Sequence, residues 1–147
     1  MKDIIEQLIK KNRTISCMES CTGGYLANEI TNVEGASKVF RLSYVTYCND
    51  AKILIGVDEK LINKYSVYSI DVASDMAKVC SQTSNSDYGV GITGQLTNAD
   101  DKVYVGIYER EQNKTYTYII KAGIGKRQEK KERIIEFVEK ELKKIMQ

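Results

Sequence analysis

The chain has 147 residues, of which 42% are hydrophobic and 29% are charged, a composition typical of one globular domain. The formal net charge of +2 is too small to indicate nucleic-acid binding, and no apolar run approaches the roughly 18 residues of a membrane-spanning helix. Histidine is absent, which excludes Ser-His-Asp and Cys-His catalysis and any His-ligated metal centre.

The cysteines form no CxxC pair, so we expect reduced thiols rather than a zinc site or a disulfide framework. The four residues are Cys17, Cys21, Cys48 and Cys80. An amphipathic pattern follows Met1 directly, without the apolar segment of a signal peptide, and we therefore expect a cytoplasmic protein.

Helices and strands alternate along the first half of the chain. Apolar residues at helical spacing predict helices, and runs of β-branched and aromatic residues predict strands. These patterns give a helix over 2–11, a strand over 14–18, a helix over 22–32, a strand over 39–47 and short helices over 49–55 and 59–64. Gly56 is expected to end the first of these short helices, and Asp58 to cap the second.

The second half begins with a helix and continues into a hairpin. The predicted elements are a helix over 70–80, a strand over 87–93, a polar loop over 94–101, two antiparallel strands over 102–109 and 114–121, and a helix over 126–145. Early alternation followed by a late hairpin predicts an α/β fold: a three-layer α/β/α arrangement with a mixed β-sheet. We expect one domain over 1–147, since no linker or repeat divides the chain.

The segment Glu19–Gly24 lies at a predicted strand-to-helix turn and carries the candidate nucleophile, Ser20. Backbone N–H groups at such a turn favour negative charge, so those of Thr22, Gly23 and Gly24 are candidate donors to an anionic group or an oxyanion. A simple helix cap is the alternative interpretation of the hydroxyl residues.

A serine nucleophile needs a base, and Lys52 is the best candidate in a chain without histidine. Desolvation or a nearby cation lowers the pKa of a lysine until its neutral amine accepts a proton. Tyr47 would relay a proton or hold the lysine in place. Because ligands bind beyond the carboxyl ends of parallel strands, Ser20 and the segment 47–52 should face one crevice. The alternatives are an exposed surface lysine and a strand aromatic.

Three further side chains are candidates with open alternatives. Ser69 precedes a helix and either caps it or touches a ligand, with the cap favoured. Arg127 either binds a phosphate or carboxylate or faces solvent, and its basic neighbours up to Arg133 are interpreted as a solvated helix face. Cys21 would make a thiol enzyme if the nearby helix N-terminus lowered its pKa.

Six segments occur in an order and spacing that extend over nearly all of the chain. They are Glu19–Gly24, Gly35–Phe40, Val45–Lys52, Ile55–Val57, Val67–Ser69 and, more weakly, Gly125–Arg127. With these motifs the chain resembles the C-terminal domain of the CinA (competence/damage-inducible protein) family. Stand-alone members of that family include nicotinamide-mononucleotide deamidases.

The resemblance implies an amidohydrolase that converts nicotinamide mononucleotide to nicotinic acid mononucleotide and ammonia, without a metal or cofactor. The family chemistry is of the Ser/Lys type, which corresponds here to Ser20 and Lys52 with Tyr47 close by. It also implies a homodimer and a pyridine mononucleotide as the small-molecule partner. Substrate binding is assigned to Thr22, Gly23, Gly24, Ser69, Gly94 and Arg127.

The loop over 94–101 departs from the family pattern. Gly94 is retained, but the proline and the later glycines of the family loop are missing. Tyr25 and Tyr68 also stand where many relatives have smaller or less polar residues. A catalytically weak or inactive nucleotide-binding module with the same fold is therefore the alternative prediction.

Overall fold

A five-stranded mixed sheet forms the centre of the structure, which a computed structural model describes for residues 1–147. The strands are β1 (Ile15–Glu19), β2 (Phe40–Val45), β3 (Tyr88–Gly94), β4 (Lys102–Glu109) and β5 (Lys114–Lys121). Their order is β2-β1-β3-β4-β5, with β1 parallel to β2 and β3, and with antiparallel pairing from β3 to β5. The predicted mixed sheet and late hairpin are confirmed.

Helices cover both faces of the sheet, which confirms the three-layer prediction. They are α1 (Lys2–Lys11), α2 (Tyr25–Thr31), α3 (Asn49–Ile55), α4 (Glu59–Tyr65), α5 (Ile70–Ser84) and α6 (Arg127–Ile145). One hydrophobic core lies under α1, α2 and α6, and a smaller core lies under α3, α4 and α5. Cys17 and Met18 are neighbours on β1 but belong to different cores, because successive strand side chains point to opposite faces. None of these helices has the length and apolar character required to cross a membrane.

The predicted helix over 22–32 begins later than expected, at Tyr25. Gly23 and Gly24 have φ angles of 60° and 94°, in the left-handed region that a right-handed helix does not use. Residues 21–24 therefore form a turn between β1 and α2. The strand itself ends at Glu19, one residue later than predicted, so Ser20 directly follows the sheet.

Three glycines bring α5 unusually close to the sheet. A Cβ atom on Gly89, Gly91 or Gly106 would lie 2.0, 2.2 or 2.7 Å from a carbonyl oxygen of α5. Such distances are too short for any side chain, so these positions require glycine for close backbone approach. This contact fixes α5 against β3 and β4 and so fixes the start of α5 beside the carboxyl end of β3.

Candidate active site

A cavity of about 230 Å³ opens where the parallel strands β1 and β3 end. Ser20 and Lys52 line it, together with Tyr47, Gly94 and Arg127. The location agrees with the rule that open α/β sheets bind ligands beyond the carboxyl ends of their parallel strands. The predicted crevice shared by the segments after β1 and β2 is thus present in the structure.

Ser20 and Lys52 meet inside this cavity. Nζ of Lys52 lies 3.1 Å from Oγ of Ser20 and donates a second hydrogen bond, of 2.8 Å, to the carbonyl oxygen of Thr46. Lys52 is only 2% exposed, and Ser20 is 9% exposed. The interpretation of Lys52 as an exposed surface lysine is therefore wrong, and its amine is within proton-transfer distance of the serine hydroxyl.

Burial lowers the pKa of Lys52 below its ordinary value of 10.5. The cause is desolvation, which disfavours the charged amine, while the thiols of Cys48 and Cys21 act in the opposite direction. Nζ makes its hydrogen bonds to a hydroxyl and a carbonyl, neither of which is a carboxylate that would hold the proton. The site therefore favours a neutral lysine amine more than solvent does.

Glu19 builds the turn that presents Ser20, a role that sequence inspection missed. Its carboxylate is fully buried and accepts hydrogen bonds from Oγ1 of Thr22 at 2.6 Å and from the N–H groups of Leu26 at 2.9 Å and Ala27 at 3.1 Å. It thus satisfies the unpaired N–H groups at the start of α2 from outside the helix. Its carbonyl oxygen also accepts from the N–H of Thr46, which ties the nucleophile turn to the residue that anchors Lys52.

The predicted anion donors differ in their availability. The N–H of Gly23 already donates to the carbonyl oxygen of Ser20, so it is not a free donor. Thr22 and Gly24 lie outside the cavity lining, whereas Cys21 is part of it. The N–H groups of Cys21, Thr22 and Gly24 donate to no backbone carbonyl, and of these three residues only Cys21 lines the cavity, so its N–H is the free donor beside the nucleophile.

Ser69 acts as a helix cap and does not line the cavity. Its Oγ accepts a hydrogen bond from the N–H of Val72 at 3.2 Å and donates one to the carbonyl oxygen of Ser66 at 2.7 Å. The favoured interpretation of Ser69 as a cap is confirmed. Its neighbour Tyr68, by contrast, does line the cavity, whereas Tyr25 does not.

Tyr47 and Arg127 form the rim of the cavity. Tyr47 is 64% exposed, and its hydroxyl lies 3.5 Å from a guanidinium nitrogen of Arg127. Tyr47 therefore does not hold Lys52, because that contact is made by the carbonyl oxygen of Thr46. It lies after β2 ends, so it is also not a strand aromatic.

Cys21 does not have the properties of a reactive thiol. Its side chain is 5% exposed, and burial raises its pKa to about 12. A thiol with this pKa is protonated at neutral pH, whereas nucleophilic cysteines have a lowered pKa. The condition for the thiol-enzyme alternative, a pKa of Cys21 lowered by the helix N-terminus, is therefore not met, because desolvation raises this pKa instead.

The basic segment before and within α6 is not a uniformly solvated face. Lys130 is 5% exposed, and its Nζ donates to the carbonyl oxygens of Leu96 at 3.0 Å and Thr97 at 3.1 Å. Both acceptors belong to the loop that lines the cavity. Lys130 lies four residues before the buried Ile134, so helical spacing already places it on the apolar face of α6.

The remaining cavity lining comes from residues that were not predicted individually as site residues, although most of them lie in segments that the sequence had marked. They are Asn49, Val67, Thr93, Gln95, Leu96 and Thr97. Thr93 is 1% exposed and donates to the carbonyl oxygen of Val67 at 2.9 Å, which joins β3 to the segment before α5. No group of three or more His, Cys, Asp or Glu side chains is arranged to hold a metal ion.

The sheet, its two helical layers and the buried serine–lysine pair define an α/β/α domain with a polar cavity at the ends of its parallel strands. Residues 1–146 match the CinA C-terminal domain family. The chain belongs to this family.

Two relatives illustrate the similarity in sequence. A protein of Clostridium kluyveri, named as a competence-damage inducible protein, is 40% identical over 123 residues, covering 78% of this chain and 30% of that protein. A CinA-like protein of Desulfovibrio desulfuricans is 45% identical over 92 residues, covering 62% of this chain and 22% of that protein. The chain thus spans less than a third of the length of these curated relatives.

Two crystal structures share the fold. The competence or damage-inducible protein of Enterobacter asburiae has a TM-score of 0.92 at 21% identity, covering 99% of this chain and 95% of that one. The competence/damage inducible protein CihA of Agrobacterium tumefaciens has a TM-score of 0.88 at 24% identity, with the same coverage. At such low identity these similarities show the fold alone.

Proposed function

We propose that this protein is an amidohydrolase that converts nicotinamide mononucleotide to nicotinic acid mononucleotide and ammonia. The observation that carries the proposal is the buried contact of 3.1 Å between Nζ of Lys52 and Oγ of Ser20. The choice of substrate rests on the resemblance to stand-alone family members. The choice of reaction class rests on the geometry, because a buried amine in contact with a hydroxyl can act as the general base for a serine nucleophile.

In the proposed reaction, the neutral amine of Lys52 takes the proton of the Ser20 hydroxyl as Oγ attacks the carboxamide carbon. The resulting oxyanion lies near the turn after β1, where the N–H of Cys21 is a free donor. The protonated lysine then gives its proton to the leaving nitrogen, and ammonia departs from the acyl-enzyme. Water, deprotonated by the same amine, hydrolyses the ester and releases the acid.

The rim of the cavity suits the remainder of a mononucleotide. Arg127 is exposed beside Tyr47 and is the proposed partner of the phosphate group. A cavity of about 230 Å³ is below the roughly 300–1,000 Å³ typical of ligand sites. We therefore place only the carboxamide end of the substrate inside, with the phosphate at the open rim.

The test is ammonia release from nicotinamide mononucleotide by purified protein. We expect Ser20→Ala to abolish release and the matched variant Ser37→Ala, an exposed serine outside the cavity, to retain it. Acid quenching followed by intact-mass spectrometry should detect an acyl adduct in the wild type and none in Ser20→Ala. Unchanged release by Ser20→Ala would reject the mechanism. Binding of the nucleotide without ammonia release by the wild type would instead support the inactive binding module.

A further inference from the structure

We propose that Lys130 and Asp101 form a clamp that fixes one wall of the cavity and thereby sets its affinity for substrate. The wall is the segment 94–97, which follows β3, contributes consecutive residues to the cavity lining and departs from the family pattern. The inference rests on the proposed function only for the identity of the substrate.

Lys130 and Asp101 together bind two consecutive peptide units, 96–97 and 97–98. The Lys130 amine donates to the oxygen of each unit, and the Asp101 carboxylate accepts from the nitrogen of each unit. Nζ of Lys130 donates to the carbonyl oxygens of Leu96 and Thr97. A carboxylate oxygen of Asp101 accepts from the N–H groups of Thr97 at 2.8 Å and Asn98 at 2.7 Å. Because the carbonyl of one residue and the N–H of the next belong to one planar unit, each of the two planes is fixed at its oxygen and at its nitrogen.

Other contacts position this loop without setting the orientation of these peptide planes. The side chain of Leu96 is 1% exposed in the main core, and the N–H of Gln95 donates to the carbonyl oxygen of Lys102. These contacts attach the loop to the body of the protein. The clamp adds the orientation of the peptide planes, and with it the direction in which Thr97 faces the cavity.

Lys130 also links the wall to the rim. It lies three residues after Arg127 on α6, so both side chains belong to the first turns of one helix. A rigid helix therefore holds the wall and the rim arginine at a fixed separation. The wall and Arg127 both line the cavity, and no atom of the wall takes part in the hydrogen bonds of Lys52. Releasing the wall should therefore change how well a substrate is held more than it changes the Ser20–Lys52 chemistry.

The clamp is tested by Lys130→Met, which keeps the length and apolar stem of the side chain but removes its donors. We expect KM for nicotinamide mononucleotide to rise about tenfold, because the free energy of one charge-assisted hydrogen bond corresponds to an affinity change of about that factor. kcat should stay within about threefold of the wild-type value. Lys130→Arg should restore most of the affinity, because a guanidinium also donates to two oxygens. The matched control is Lys140→Met, an exposed lysine on the same helix.

A second variant reaches the same wall from the other side. Asp101→Asn should raise KM in the same direction, whereas Asp100→Asn, whose side chain is 89% exposed, should not. In both clamp variants the amides of Thr97 and Asn98 should exchange with deuterium faster than in the wild type, with β3 unchanged. This second route applies if Lys130→Met does not fold.

The outcomes separate the clamp from the proposed function. Unchanged KM and unchanged amide exchange in a folded clamp variant would overturn the clamp. A lower melting temperature with unchanged KM would also overturn it, because the side chain would then act only on stability. Absence of ammonia release by the wild type would reject the proposed function, and the exchange comparison would still decide whether the clamp exists.

Discussion

Replacing Lys52 by methionine separates its chemical role from its structural role. Methionine retains a flexible apolar stem of similar length but cannot accept a proton. The side chain is buried, and its Nζ contacts are limited to Oγ of Ser20 at 3.1 Å and the carbonyl oxygen of Thr46 at 2.8 Å. The substitution therefore removes the proposed base and two hydrogen bonds while leaving the volume of the site nearly unchanged.

The expected loss of activity is much larger than the expected loss of stability. A positioned general base contributes roughly 100- to 10,000-fold in rate, so kcat should fall by that factor, which corresponds to an activation free energy higher by about 2.7–5.4 kcal/mol. The Thr46 carbonyl loses its donor, which costs about 1–3 kcal/mol, but the desolvated amine also disappears and offsets part of this cost. We expect the free energy of unfolding to change by no more than about 2 kcal/mol.

The pH dependence follows from the lowered pKa of Lys52, whose cause is burial. Between this pKa and the unfolded value of 10.5, Lys52 binds more protons in the unfolded chain than in the folded one, so the contribution of this residue to stability rises with pH across that window. Below this pH window the folded protein carries the full cost of burying the charged Lys52 amine. Above the window the amine is neutral in both states, so this cost is absent. kcat/KM of the wild type should likewise rise with pH as the amine loses its proton.

Two measurements test the Lys52 prediction together. Ammonia release and urea unfolding are followed against pH for the wild type, Lys52→Met and the exposed-lysine control Lys60→Met. Lys52→Met should lose the activity, and its free energy of unfolding relative to the wild type should fall as pH rises towards 10.5, whereas Lys60→Met should keep the activity and a constant difference from the wild type. Retention of kcat within tenfold of the wild type by folded Lys52→Met would refute the assignment of Lys52 as the base.

Three further substitutions test the scaffold of the site. Glu19→Ala should lower the free energy of unfolding by about 3 kcal/mol or more, because it leaves buried N–H groups of α2 without an acceptor. Gly91→Ala should cost about 1–3 kcal/mol or more, since its Cβ would lie 2.2 Å from the carbonyl oxygen of Ala73. Cys21→Ala should retain ammonia release, because burial raises the pKa of this thiol to about 12. Urea unfolding measures the first two, and the ammonia assay measures the third.

Each of these predictions has a result that contradicts it. Glu19→Gln keeps one acceptor oxygen and should be less destabilising than Glu19→Ala, so equal losses would argue against the hydrogen-bond explanation. If Gly91→Ala unfolded at the same urea concentration as the wild type, α5 would have to move away from β3 at little cost in free energy. Loss of activity in folded Cys21→Ala would return the thiol to the list of catalytic candidates.

Most of the fold was predictable because it follows from local patterns. Alternating strands and amphipathic helices, a late hairpin and the caps at Asp58 and Ser69 are all encoded over a few neighbouring residues. The start of α2 was predicted too early because the two glycines adopt left-handed φ angles and a carboxylate from β1 caps the helix. A contact from a preceding strand is not visible in helical periodicity.

The candidate site was predictable in its central pair and not in its surroundings. Ser20 and Lys52 were accessible from residue type, turn position and the absence of histidine. The roles of Glu19 and Lys130 were not identified, because charged residues are usually exposed and only their burial reveals what they hold. The low reactivity of Cys21 likewise depends on the core around it.

The sequence alone determined the order of the elements, the placement of a hydroxyl at a strand-to-helix turn and the family to which the chain belongs. Only the tertiary structure decided that two side chains 32 positions apart meet at 3.1 Å, both of them buried. Secondary structure depends on interactions between close neighbours in the chain. Proximity and desolvation depend on which segments pack together across the sheet, and that packing is a property of the whole fold.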